Sequence, residues 1–92
     1  MATMDPIARY RPVDTYWQVV RRTLSEVFGQ TDSRDMEKLR HQVEGSPPAE
    51  RTMFYHAEPL DVAADLAEQR PTPEQVRQYL NIAKNCKWEL RP

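Results

Sequence analysis

Residues 13–28, VDTYWQVVRRTLSEVF, carry the clearest helical pattern in the chain. Apolar residues recur there at three- and four-residue intervals, which is the spacing of one face of an α-helix. They are Val13, Tyr16, Trp17, Val20, Leu24, Val27 and Phe28. Asp14 or Thr15 is a suitable N-cap, and Thr15 with Gln18 fits a capping box. Gly29 follows directly, where helices often end. The pattern predicts a long amphipathic helix whose apolar stripe faces a core.

Four further segments show helix-start signals followed by helical spacing. Ser33 suits the cap of a helix that Gly45 ends, and prolines open the remaining three, because proline is well tolerated in a first turn. The strongest signal is Thr72-Pro-Glu-Gln75, which combines a cap, a proline and a capping box. No strand-like alternation longer than four residues occurs. We therefore predict an all-α fold, a single small bundle of four to five short helices near 13–28, 33–44, 48–57, 59–69 and 73–86.

The length of 92 residues suits one domain, since two would need far more chain. Hydrophobic residues make up 39% of the chain and charged residues 29%, which is the composition of a globular protein. We expect residues 1–92 to form one helical domain, with 1–12 as a flexible N-terminal arm and 87–92 as a C-terminal tail. The predicted core consists of Tyr16, Trp17, Val20, Leu24, Val27, Phe28, Met36, Leu39, Val43, Met53, Leu60, Ala63, Leu66, Val76, Tyr79, Leu80 and Ala83.

Charge and cysteine usage narrow the class of protein. The 13 basic and 14 acidic residues leave a net charge of −1, which argues against a strongly basic nucleic-acid-binding protein. No apolar run exceeds four residues, so we expect no membrane span. Cys86 is the only cysteine and Met1–Pro6 lack a signal-peptide pattern, so we expect a cytoplasmic protein. Ten arginines against three lysines are typical of a GC-rich bacterial genome.

The two charge types are unevenly distributed along the second half of the chain. Residues 46–69 contain five acids and one base, whereas residues 70–92 contain five bases and two acids. The favoured interpretation is that these opposite charges attract the fourth helix to the fifth within the fold. The alternative is a basic edge that docks a partner.

Motifs for catalysis or cofactor binding are missing from the sequence. With two glycines, the chain has no phosphate-binding loop, and it has no Gly-x-Ser-x-Gly motif for a serine nucleophile. Cys86 would need a base from His41 or His56 to act as a nucleophile. Glu37, His41 and Glu44 share one helical face and are metal-ligand types, but the solvated face of a charged helix is the favoured interpretation. We predict a non-enzymatic protein with no cofactor and no metal.

The helices near 59–69 and 73–86 could form a helix-turn-helix unit. Gln75, Arg77, Gln78 and Asn81 are able to contact base edges. However, Arg77 stands where that motif needs an apolar residue, and Val76 comes one position early. A small DNA-binding regulator is therefore the alternative function, and nucleic acid is not the expected partner.

The leading function is an interaction or regulatory protein that binds another protein, or a second copy of itself as a homodimer, through its helical faces. Met53, Phe54 and Tyr55 are consecutive, and a helix turns by about 100° per residue, so they cannot all point inward. Aromatic side chains suit reversible interfaces, and arginines next to them orient partners. We predict a partner-binding surface formed by Phe54, Tyr55, Trp88, Arg21 and Arg22. For Trp88, a lid that folds back onto the bundle is the favoured interpretation and an anchor for a partner is the alternative; for Tyr55 the two interpretations are equally supported.

Overall fold

Five helices follow one another in residues 13–88, the part of the chain that the computed structural model describes. They are α1 (Val13–Glu26), α2 (Arg34–Glu44), α3 (Pro48–Phe54), α4 (Pro59–Ala67) and α5 (Pro73–Asn85). No strand occurs between residues 13 and 88, so the predicted all-α bundle is confirmed. The predicted N-terminal arm, 1–12, and residues 89–92 of the predicted tail lie outside the described residues.

Three helix starts follow the predicted proline signals, whereas Ser33, the predicted cap of α2, stands at the N-cap position but makes no side-chain hydrogen bond there. Proline is the first residue of α3, α4 and α5. The Thr72 hydroxyl accepts a hydrogen bond from the Gln75 amide at 3.1 Å, and the Gln75 side chain accepts one from the Thr72 amide at 2.9 Å. The capping box is therefore confirmed. The cap predicted for the first helix is wrong: α1 already includes Val13, so Asp14 and Thr15 lie inside its first turn.

Among residues 13–88, three helix ends contain a residue in the left-handed region, and one of these three is glycine. Gly29 has φ +74° after α1, as expected for a glycine that ends a helix. Glu68 and Lys87 have φ +56° and +59° after α4 and α5. Gly45, in contrast, ends α2 with an ordinary φ of −88°. Left-handed geometry costs a non-glycine residue free energy, so the contacts around Glu68 and Lys87 must offset that cost.

Helix α1 lies at the centre of the bundle and packs most extensively against α4, then against α5. The contact with α4 is close because that helix presents small side chains, including the buried Ala63, Ala64 and Ala67. Since two helices cover α1, its buried face is wider than the predicted stripe and includes Val19. Other buried residues that the sequence pattern did not select are Val62, Ala64, Ala67, Ile82 and Trp88. Val27, Leu39, Leu66 and Val76 were predicted as core residues and are partly buried at its edge.

Two predicted core residues are wrong. The side chain of Met53 is 73% exposed, because Phe54 and Tyr55 take the inward positions at the end of α3. Leu80 is 40% exposed, because α5 is rotated so that Tyr79, Ile82 and Ala83 face the core. In this orientation the hydroxyl of Tyr79 also donates to Glu58 Oε1 at 2.7 Å.

Candidate interaction site

An aromatic cluster joins three distant parts of the chain. We use this name for Tyr16, Trp17, Phe54, Tyr55 and Trp88. The ring of Tyr16 lies at its centre, with centroid distances of 5.0 Å to Tyr55 and 5.3 Å to Trp88. Phe54 stacks on Trp17 at 5.6 Å. Edge-to-face and offset-stacked aromatic pairs stabilise a fold beyond the area they bury. The cluster therefore fixes α1 against the end of α3 and against Trp88, which lies three residues beyond the end of α5.

The polar groups of this cluster form hydrogen bonds within the fold. The indole N–H of Trp17 donates to the Tyr55 hydroxyl at 3.0 Å, and the Tyr16 hydroxyl donates to the Ala57 carbonyl at 3.0 Å. Burial, together with the nearby Tyr55 and Glu58, raises the pKa of Tyr16 well above its usual value. The Tyr16 phenol thus stays protonated through the physiological range and acts as a hydrogen-bond donor.

Helix α3 is held by its ends, and it contributes no buried residue of its own. At its C-terminal end, Phe54 and Tyr55 enter the aromatic cluster and are partly buried. At the other end, the Arg51 guanidinium donates to the carbonyl of Ser46 at 2.9 Å. Met53 points away from these anchors, which leaves an outer face of α3 with exposed apolar groups at Ala49 and Met53.

Trp88 closes the bundle at the end of α5. Its backbone N–H donates to the Ala83 carbonyl at 2.8 Å, and the Lys87 N–H donates to Lys84 at 3.0 Å. This is the Schellman pattern, which reverses the chain through a left-handed residue, here Lys87. The reversal brings the indole back onto Tyr16, and Trp88 is 9% exposed. The structure therefore gives Trp88 the lid position.

The two arginines of the predicted surface form their ion pairs with residues other than Phe54 and Tyr55. Arg21 forms an ion pair with Glu37 of α2 at 3.7 Å. Arg22 pairs with Glu26 at 2.8 Å, and its guanidinium also reaches the Cys86 sulfur at 3.7 Å. The hydrogen bond from Arg22 lowers the pKa of the exposed Glu26 carboxyl. The structure thus brings Phe54, Tyr55 and Trp88 together around Tyr16, while both arginines have partners elsewhere.

The residues considered for catalysis or metal binding have ordinary structural surroundings. Within residues 13–88, no group of three or more metal-ligand side chains is arranged to hold an ion. Glu37 pairs with Arg21, and Glu44 pairs with Arg40 at 3.1 Å. His41 is exposed. In the described part of the chain, no hydrogen bond connects the partly buried Cys86 thiol to a histidine.

Of the side chains considered for base contacts, some form hydrogen bonds or ion pairs within the fold and the others are exposed to solvent. Gln75 forms the capping box and also donates to the Val27 carbonyl at 3.5 Å, so its amide serves the fold. Arg77 pairs with Glu74 at 2.7 Å. Gln78 and Asn81 are exposed on α5.

A shallow cleft of about 420 Å³ lies where α1, α2 and α3 meet. Its lining residues are Val13, Asp14, Arg40, Glu44, Arg51 and Tyr55. Arg40 bonds both to Asp14 at 2.5 Å and to Glu44 at 3.1 Å, and Arg51 bonds to backbone carbonyls. The charged groups of the cleft are therefore already paired with one another or with the backbone, and they tie the three helices together.

Comparison of this chain with known proteins found no match. No protein family, no curated protein and no solved structure matches this chain. None of the helices in residues 13–88 is long and apolar enough to cross a membrane.

The exposed Met53 is the feature of this region that sequence reasoning missed. The run Met53-Phe54-Tyr55 shows that at least one of the three must face outward. The composition of this run contains a usable signal. Packing against Tyr16 and Trp17 stabilises an aromatic ring such as Phe54 or Tyr55 more than it stabilises a methionine side chain. Which of the three side chains faces outward still depends on where α1 places the rings of Tyr16 and Trp17, and that position is set by the tertiary structure.

Proposed function

We propose that this chain is a non-enzymatic interaction module that binds another protein through a helical face. The observation that carries the proposal is the exposure of Met53, at 73%, on a helix that buries none of its own residues. A helix that is anchored at both ends and apolar on its outer face is a rigid platform for a partner. Methionine suits such a surface because its flexible thioether adapts to different contacts.

The surface proposed here is centred on Met53 and Ala49, and Phe54 and Tyr55 of the predicted surface lie partly exposed at its edge. The aromatic cluster fixes the position of α3 before a partner arrives, which lowers the entropy cost of binding. Trp88 supports this surface from beneath through Tyr16. Arg21 and Arg22 contribute to binding only if a partner displaces Glu37 or Glu26 from them.

Two measurements test this proposal. Sedimentation velocity of the wild type against Met53→Glu shows whether the face joins two copies, in which case the variant is a folded monomer. For a different partner, a photo-crosslinking residue at position 53 should capture one protein in cells, whereas the same residue at the exposed Gln18 of α1 should not. Binding of that purified partner should then weaken at least about thirtyfold in Met53→Glu, as for a hot-spot residue. Unchanged association in both assays would refute the proposal.

A further inference from the structure

Within residues 13–88, helix α5 carries a second face that no other helix covers, in addition to the outer face of α3. Arg77, Leu80, Asn81 and Lys84 follow one another at intervals of three, one and three residues, so they lie along one side of the helix. All four are exposed, opposite the buried Tyr79, Ile82 and Ala83. We call these four residues the α5 outer face. Leu80, which is 40% exposed, lies in its middle, and Lys87 follows at its C-terminal end.

The positive charge of this face is not neutralised within the described residues. Neither Lys84 nor Lys87 forms an ion pair between residues 13 and 88. Arg77 pairs only with Glu74 of its own helix, and both side chains are 69% exposed, so the pair is weak.

Three of the acids that were expected to balance these cations lie on α4 or directly after it. Asp61, Asp65 and Glu68 are exposed, and in the described part of the chain none of them pairs with a cation of α5. The favoured sequence interpretation, direct attraction between these two helices, is therefore not realised as ion pairs. The alternative interpretation, a basic edge, describes α5 better.

We propose that the α5 outer face docks an acidic amphipathic helix of a partner protein. Carboxylates of that helix would meet Lys84, Lys87 and Arg77, while one of its apolar residues covers Leu80. Charge complementarity of this kind speeds association and selects the partner. An apolar residue set among cations fits a helix that carries both carboxylates and an aliphatic anchor.

A nucleic acid is the less suitable occupant of this face. Tight binding to duplex DNA draws on roughly 6–10 phosphate contacts, whereas this face and Lys87 together supply three cations. The exposed Leu80 would also meet phosphates rather than an apolar surface. The net charge of −1 adds no general attraction for a polyanion.

A synthetic helical peptide, with one leucine flanked by glutamates at three- and four-residue spacing, is the probe. The control peptide, its twin, has the same sequence with every glutamate replaced by glutamine. Fluorescence anisotropy with the full chain should show binding of the glutamate peptide that is about tenfold tighter than binding of the twin and weakens as salt is added. Lys84→Glu should weaken it about tenfold, and Leu80→Ser should weaken it severalfold.

Lys38→Glu is the matched control, because Lys38 is an exposed lysine of α2 and its replacement changes the net charge equally. This variant should bind the glutamate peptide like the wild type, and circular dichroism should show that all variants are folded. Equal binding of the two peptides, or equal weakening by Lys38→Glu and Lys84→Glu, would overturn the proposal. Tighter binding of a 20-base-pair duplex, lost in Lys84→Glu, would replace it with a nucleic-acid interface. Binding through α3 is judged separately, since Met53→Glu should leave the peptide affinity unchanged.

Discussion

The indole N–H of Trp17 donates to the hydroxyl of Tyr55 over 3.0 Å, and this bond connects the central helix to the residue after α3. Trp17 is 1% exposed, so its indole N–H has little access to water if Tyr55 loses its oxygen. A donor left unpaired in the interior costs free energy because it has given up its hydration. The pair therefore controls how firmly α3 is held.

Tyr55→Phe should lower the free energy of unfolding by about 1–3 kcal/mol, because the ring contacts remain and the acceptor is lost. Urea unfolding followed by far-ultraviolet circular dichroism measures this change. His56→Ala, at the next and exposed position, is the control and should change stability by less than about 0.5 kcal/mol. Equal stability of Tyr55→Phe and the wild type would mean that the hydrogen bond is absent in solution.

Leucines 24 and 80 should respond differently to truncation. Leu24 is 3% exposed and Leu80 is 40% exposed. Leu24→Ala leaves a cavity in the core and should cost about 2–5 kcal/mol. Leu80→Ala removes surface contacts and should cost less than about 1 kcal/mol. Chemical unfolding of both variants compares them directly; similar costs would contradict the observed rotation of α5.

Thr23→Val should stabilise the protein by about 1 kcal/mol. Thr23 is fully buried, and its hydroxyl has no hydrogen-bond partner among the described residues. Valine has nearly the same shape and removes the cost of burying that unpaired group. Thr52→Val on the exposed side of α3 is the matched control and should have little effect. A destabilised Thr23→Val protein would show that the hydroxyl is bonded after all.

Glycine should be favourable at positions 68 and 87. Glu68 and Lys87 both have positive φ, so Glu68→Gly and Lys87→Gly should each raise stability by up to about 1 kcal/mol. Lys84→Gly, inside the same helix as the second site, should instead cost about 1 kcal/mol. Thermal denaturation of the three variants tests whether the changes in stability have these opposite signs. A loss of stability in Lys87→Gly would argue against the Schellman turn.

Stability should fall at alkaline pH because of two buried tyrosines. Burial raises the pKa of both Tyr16 and Tyr79 above the usual value of 10.0, and the hydrogen bond to Glu58 adds to the shift at Tyr79. A raised pKa stabilises the fold below pH 10, and this contribution is lost as pH rises further, by up to about 1.4 kcal/mol per pH unit for each tyrosine. Tyr79→Phe should therefore show a shallower decline between pH 10 and 11 in urea unfolding. An unchanged slope would contradict the burial of that phenol.

Much of the helical architecture can be predicted from local patterns in the chain. The capping box of Thr72 and Gln75 places the start of α5 because its hydrogen bonds join residues three apart. Prolines mark the starts of α3 and α4 for the same local reason. The helix ends are less readable, since Glu68 and Lys87 adopt a conformation that their residue types disfavour.

The rotation of each helix and the choice of exposed residues depend on contacts between distant segments. The composition of Met53-Phe54-Tyr55 favours an outward methionine but does not fix it; the rings of Tyr16 and Trp17 decide the outcome by packing against Tyr55 and Phe54. Leu80 is exposed because α5 packs Tyr79, Ile82 and Ala83 into the core, which turns Leu80 toward solvent. The sequence alone therefore determines where helices form, because hydrogen bonding and capping act over a few residues. Tertiary structure decides which apolar residues remain available to a partner, because burial depends on what the rest of the chain places against them.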